Sequence, residues 1–181
     1  MDTTVEERFL KAVAEHEMSI VSEAGLSRQI TFKKPGSYNN HFHITTWPGY
    51  LAISGDAGCY VFARLPDMFE FFRGNRINPS YWSEKLQAAD RGCGYEEFSE
   101  QLFREAIKSD FDGWSFEGDE QRTTAWGAIQ ESDISDDSTP NSACDAVRAA
   151  MEYKCPVTGN RFNDFWDHRL RDYTFRFLWC C

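Results

Sequence analysis

His41 and His43 are the first side chains in this sequence whose type and spacing could do chemistry. In an extended segment, residues two apart share one face. The pair could therefore hold a metal ion or a small ligand together with a nearby carboxylate or thiol. Two imidazoles alone are not a site, because zinc takes four ligands or three and a water. Cys59 could make a nucleophilic pair with His41 or His43, which requires an exposed and activated thiol. It begins the apolar run Cys59–Ala63, and that run predicts a buried, inert thiol instead. Gly55-Asp56-Ala57-Gly58 lacks the lysine and the spacing of a phosphate-binding loop, so it reads as a hairpin turn. The six cysteines (59, 93, 144, 155, 180 and 181) contain no Cys-x-x-Cys pair and are expected to be reduced thiols. Cys180 and Cys181 are adjacent, which suits neither a shared metal nor an ordinary disulfide. A zinc site gathered from scattered Cys and His stays open. No catalytic motif appears, and the sequence calls for no cofactor.

The carboxylates make a second group. Asp133, Asp136 and Asp137, with Ser135 and Ser138, have the residue types of a calcium loop but lack its central Gly and terminal Glu. A solvated acidic loop is the expectation there. The formal charge is −10, and residues 110–137 hold nine acidic groups against the single Arg122, a net of −8. That sign opposes direct binding to phosphates. It suits a surface that imitates phosphate charge and engages the Lys/Arg groove of a nucleic-acid-handling protein. On this reading Asp119, Glu120, Asp133, Asp136 and Asp137 supply charge, and Trp114 and Trp126 supply aromatic anchors. Acidity that serves only solubility is the plainer alternative.

The elements that must position these groups follow from pattern. From Tyr38 to Trp47, alternation places Phe42 and Ile44 inward on a strand. Pro48-Gly49 is a turn, and Tyr50–Ile53 and Cys59–Ala63 are short apolar runs that read as strands covered on both faces. Gln29–Phe32 adds a possible fourth. Residues 3–18 read as an amphipathic helix with a capping box at Thr3 and Thr4. Further helices are expected from Pro66 to Phe72, from Asn78-Pro79 to Arg91, from Tyr95 to Lys108, from Thr139-Pro140 to Met151, and from Asn160 to Cys181. The segment between Asp110 and Ser138 is turn-rich, yet Phe111, Trp114, Phe116, Trp126 and Ile129 require part of it to pack, as in an extra hairpin.

The resulting fold class is α+β: a three- to four-stranded antiparallel meander, about 28–63, packed by five to six helices. The chain is expected to be one domain over 1–181 with an acidic, loop-rich insertion at about 110–138. Hydrophobic residues make up 41% and aromatics 15%, enough for a core built largely of rings. No apolar run approaches the roughly 18 residues that span a bilayer, and the acidic N-terminus lacks the basic start of a signal peptide. The cytoplasm is the expected location.

The meander with its Pro66–Phe72 helix, the stretch Ile77-Asn78-Pro79-Ser80-Tyr81-Trp82-Ser83-Glu84-Lys85, and the Phe162–Cys181 segment together resemble a family of small accessory proteins of tailed bacteriophages and prophages. The resemblance covers about two-thirds of the chain. It is weakest in 110–138 and the first 25 residues. Members continue with helical sequence after Phe-Leu-Trp, so this chain is expected to be a short member or a truncation. The family supplies no catalytic motif. It implies a phage protein at work in the cytoplasm of a bacterial host. Joined to the acidic segment, it suggests a counter-defence inhibitor, anti-CRISPR-like, whose partner is a host or defence protein with a basic nucleic-acid-binding groove. The alternatives are a small enzyme or metal- or ligand-binding protein using His41 and His43, or a phage assembly protein.

Overall fold

The computed structural model describes residues 4–74, 76–132, 134, 140 and 142–181. It is α+β with an antiparallel sheet, but the sheet has six strands rather than three or four, and neighbouring strands follow one another in chain order. Seven α-helices occur among the described residues. The chain divides into two compact units, one made of Met1–Glu96 with Tyr173–Cys181 and the other of Glu97–Asp172.

The first unit is the sheet and its helices. Helix α1 (Val5–Val13) is held at its start by a capping box, with Glu7 N–H donating to the Thr4 hydroxyl and the Thr4 N–H to the Glu7 carboxylate. The helix expected over 3–18 stops early because Glu17–Ala24 is strand β1, paired with β2 (Ser27–Lys33). β1 was invisible to pattern reading because every residue in it is exposed and no face alternates. Strands β3 (Phe42–Trp47), β4 (Tyr50–Gly55) and β5 (Gly58–Ala63) form the expected meander, and β6 (Leu86–Ala88) closes the sheet.

Register decides which side chains face the core. Ile20, Ile30, Ile44, Ile53 and Tyr60 are successive cross-strand partners and form one apolar row. Thr31, His43, Ser54 and Cys59 form a row on the opposite face. Gly55 is required where it stands. A Cβ there would lie 2.2 Å from the His41 carbonyl oxygen, and its φ of 155° is one that L side chains rarely adopt.

Helix α2 (Met68–Phe72) starts two residues later than Pro66 suggested. Asp67 caps it, accepting from Phe69 N–H at 3.0 Å. The same carboxylate takes a bidentate pair from Arg28 at 3.0 and 3.1 Å, tying α2 to β2. Helix α3 (Pro79–Ser83) has the expected Asn78 cap and leading proline but ends well before Arg91. The sheet core is Leu51, Tyr60, Phe62, Met68, Trp82 and Phe177. Phe177 comes from α7 (Phe175–Cys180) and meets the Tyr60, Tyr95 and Tyr173 rings edge-on or tilted at 5.5, 5.8 and 5.5 Å.

The second unit is helical. The helix expected from Tyr95 begins later: Glu96–Phe98 is strand β7, which pairs with β8 (Arg171–Tyr173). Ser99 then caps α4 (Glu100–Asp112). The segment thought to fold as a hairpin contains helix α5 (Asp119–Gln130) instead. Ser142 caps α6 (Ala143–Glu152), which buries Ala146 and Ala150 completely and so lets its neighbours approach closely. Phe111, Phe103, Ile129, Phe162 and Phe165 complete this core.

The apolar stripe from Phe162 to Cys181 is not one helix. Asp164 is left-handed at φ 53°, Phe165–Asp167 is a 3-10 turn, and Thr174 caps the separate α7. Phe162, Phe165 and Leu170 belong to one core and Phe177 to the other.

Candidate functional site

The acidic segment splits into two kinds of carboxylate. Asp112 is neutralised: Lys108, one turn back on α4, lies 2.5 Å away, and Arg122 of α5 lies 2.6 Å away. The Lys108 hydrogen bond, with Coulomb attraction from both cations, holds the Asp112 carboxyl below the usual carboxylate range against the opposing effect of desolvation. Asp110 is occupied by the His168 ring, Nε2 to Oδ1 at 2.8 Å.

Glu117, Asp119 and Glu120 are exposed and have no ionic partner among the described residues. Asp119 and Glu120 open α5, where the aligned peptide dipoles and free N–H groups favour negative charge. That field offsets part of the repulsion between neighbouring acids, so the helix tolerates a dense, unneutralised group at its start. Asp133, Asp136 and Asp137 lie outside the described residues.

Trp114 and Trp126 are half-buried and committed largely to their own core. The Trp114 ring lies 4.9 Å from Phe162, and the Trp126 ring lies 4.9 Å from Phe111. Lys108 Nζ sits 5.1 Å from the Trp126 ring centroid. Both indoles therefore pack against their own core and are only partly exposed.

His41 and His43 are adjacent, with ring centroids 5.3 Å apart. Each is already held. His43 Nδ1 lies 2.9 Å from the Thr31 hydroxyl. His41 Nδ1 lies 2.7 Å from the Tyr38 carbonyl oxygen and 3.2 Å from an Asp56 carboxylate oxygen. No cluster of three or more His, Cys, Asp or Glu among the described residues has a metal-holding arrangement.

Cys59 is exposed, not buried, because its place in the register puts it on the outer face of β5. Ser54 of β4 stands between it and His43, so the sheet does not form a Cys–His pair. Cys180 and Cys181 are different: burial pushes both thiols up to about 12, which keeps them neutral.

Pattern reading missed a cavity of about 430 Å³ in the first unit. Its walls are Phe9 of α1, Phe42, Ile44 and Ile53 of the sheet, and Trp179 of α7. The Phe9 ring bridges two of them, 6.2 Å from Phe42 and 5.6 Å from Trp179. A signal existed in the inward alternation of Phe42 and Ile44. Nothing in the sequence said that α1 would stand off from that face.

No protein-family model matches the chain, and comparison with curated proteins and with solved structures found no match. No helix among the described residues is long and apolar enough to cross a membrane.

Proposed function

We propose that this chain is a phage accessory protein that binds and inhibits a host or anti-phage defence protein, in the manner of an anti-CRISPR, through the acidic surface at the start of α5. The observation that carries the reading is the contrast within one segment. Asp110 and Asp112 are satisfied internally, while Glu117, Asp119 and Glu120 are exposed without an ionic partner among the described residues. Surface acids held on a rigid helix can meet a Lys/Arg groove with little loss of side-chain order. Charge of this kind raises the encounter rate and selects the partner more than it adds raw affinity. The partner is a protein with a basic nucleic-acid-binding groove, and the setting is the bacterial host's cytoplasm. Both come from the resemblance and the charge.

The test is the triple reversal Glu117→Lys, Asp119→Lys, Glu120→Lys, assayed against a nucleic-acid-binding defence nuclease that the unaltered chain inhibits. The reversal is expected to abolish inhibition, and added salt should weaken the unaltered complex. Inhibition unchanged by reversal, at low and at moderate salt, would remove this surface from the reading.

A further inference from the structure

The cavity beneath α1 is independent of the acidic surface and has a chemistry of its own. Its volume of about 430 Å³ lies within the range of pockets that enclose small ligands. Most of its lining is hydrocarbon or aromatic, so water inside it would find few partners. What distinguishes it is the sign of its polar groups. Among the described residues, no lysine or arginine lines it. Glu6 does, and its carboxylate has no partner among the described residues.

His41 also lines the cavity, and its role is set by its neighbours. The Tyr38 carbonyl 2.7 Å from Nδ1 is an acceptor, so Nδ1 must carry the hydrogen. Asp56 at 3.2 Å reinforces that assignment. In the neutral ring, Nε2 then has a free lone pair. Asn40 is fixed beside it in a left-handed conformation, φ 57°, with its N–H donating to Asp56 at 2.6 Å and its carbonyl accepting from His16 Nε2 at 3.0 Å. The Asn40 N–H is therefore already used. The only side chain in the lining that carries full charge is Glu6, and the His41 lone pair adds a second acceptor. The Asn40 carboxamide and the Cys180 and Cys181 thiols can play either part, and the Trp179 indole N–H can donate. A carboxylate ligand would meet the Glu6 charge with no cation to receive it. A ligand that brings its own hydrogen-bond donors and positive charge would satisfy both acceptors.

We propose that this cavity binds a compact apolar amine, with its hydrocarbon body against Phe42, Ile44 and Ile53 and its ammonium group at the Glu6 carboxylate and the His41 Nε2. The neutral thiols of Cys180 and Cys181 complete a lining that does not repel hydrocarbon.

Three probes with one body and different heads test this: cyclohexylmethylamine, cyclohexylmethanol and cyclohexanecarboxylate. Each is titrated into the full chain and followed by the methyl signals of Ile44 and Ile53 and the indole signal of Trp179. The amine should perturb these signals with the highest affinity, the alcohol about tenfold more weakly, and the carboxylate least. Glu6→Gln, an exposed change on α1, should bring the amine's affinity down to that of the alcohol. Leu10→Trp, at an exposed position on the cavity rim, should block all three probes without altering the fold. Carboxylate binding as tight as the amine's overturns the assignment of the head group. Amine binding that is unaffected by Leu10→Trp, perturbation confined to residues elsewhere, or no binding by any probe overturns the site itself.

Discussion

In the sheet unit, aromatic rings reach the core from paired strands, and their positions are set by register. Phe62 and Tyr60 sit two apart on β5, and both meet Phe177. In the helical unit, rings converge from a short stretch of chain on one centre. Phe111 lies 5.5 Å from Trp114, 5.0 Å from Phe116 and 4.9 Å from Trp126. The sheet core depends on contacts between residues far apart in sequence, while much of the helical core is local. The polar surfaces differ accordingly. On the sheet, ionic pairs such as Arg28–Asp67 lock elements together. On the helices, Lys108 and Arg122 are both used at Asp112, and the acids at the start of α5 stay open. A unit whose core closes locally can leave its surface charge uncommitted, and that is what a binding surface requires.

The largest expected effect tests whether the two units are energetically distinct. Phe111→Ala removes a ring that is 1% exposed, at a cost of about 3–5 kcal/mol. Amide hydrogen exchange should accelerate across α4–α6 while the sheet amides keep their protection. Phe177→Ala, at a fully buried ring, should do the reverse. Uniform acceleration in both variants would mean that the division has no energetic counterpart.

A smaller effect is expected at Asp67. Burial and a bidentate guanidinium act on it in opposite senses, and the Arg28 hydrogen bond dominates, holding the Asp67 carboxyl below its ordinary value. A depressed folded-state pKa stabilises the fold above the unfolded value, near 3.9 for Asp. That stability is lost as pH falls through the depressed folded value. Asp67→Asn keeps a capping side chain and removes the charge. It should lower Tm at neutral pH, and its gap from the unaltered chain should close as the solution is acidified below the ordinary carboxylate range. A gap independent of pH would assign the loss to packing.

The smallest effect sharpens the comparison at the wall of the cavity. Thr4→Ala removes the hydroxyl that accepts from Glu7 N–H, keeps the backbone N–H that donates to the Glu7 carboxylate, and should cost α1 about 1 kcal/mol. Exchange should rise in α1 and stay unchanged in the helical unit. If β3 and β4 keep their protection in this variant, the sheet face stands without α1, as a cavity beneath that helix requires.

Much of the sheet is legible in the sequence alone. Alternation over Tyr38–Trp47 and turn residues at Pro48-Gly49 and Gly55–Gly58 placed β3, β4 and β5, because strand period and turn chemistry are local properties. Asn78-Pro79 likewise marked the start of α3. β1 escaped because an edge strand exposed on both faces carries no periodic signal. The Phe162–Cys181 stripe misled because apolar spacing reports that residues are buried, not which core receives them.

The candidate site divides in the same way. The acidic excess and its concentration in one segment can be counted from composition. Helix spacing offers the Lys108–Asp112 pair, four residues apart on α4, but the arrival of Arg122 from α5 at the same carboxylate is a packing outcome that no spacing rule shows. Residue types and short-range periodicity are written into the chain, so strands, caps and net charge could be read from it directly. Partners distant in sequence are chosen by packing, so the exposed Cys59, the core contacts of Trp114 and Trp126 and the largely apolar cavity beneath α1 were decided only when the chain folded.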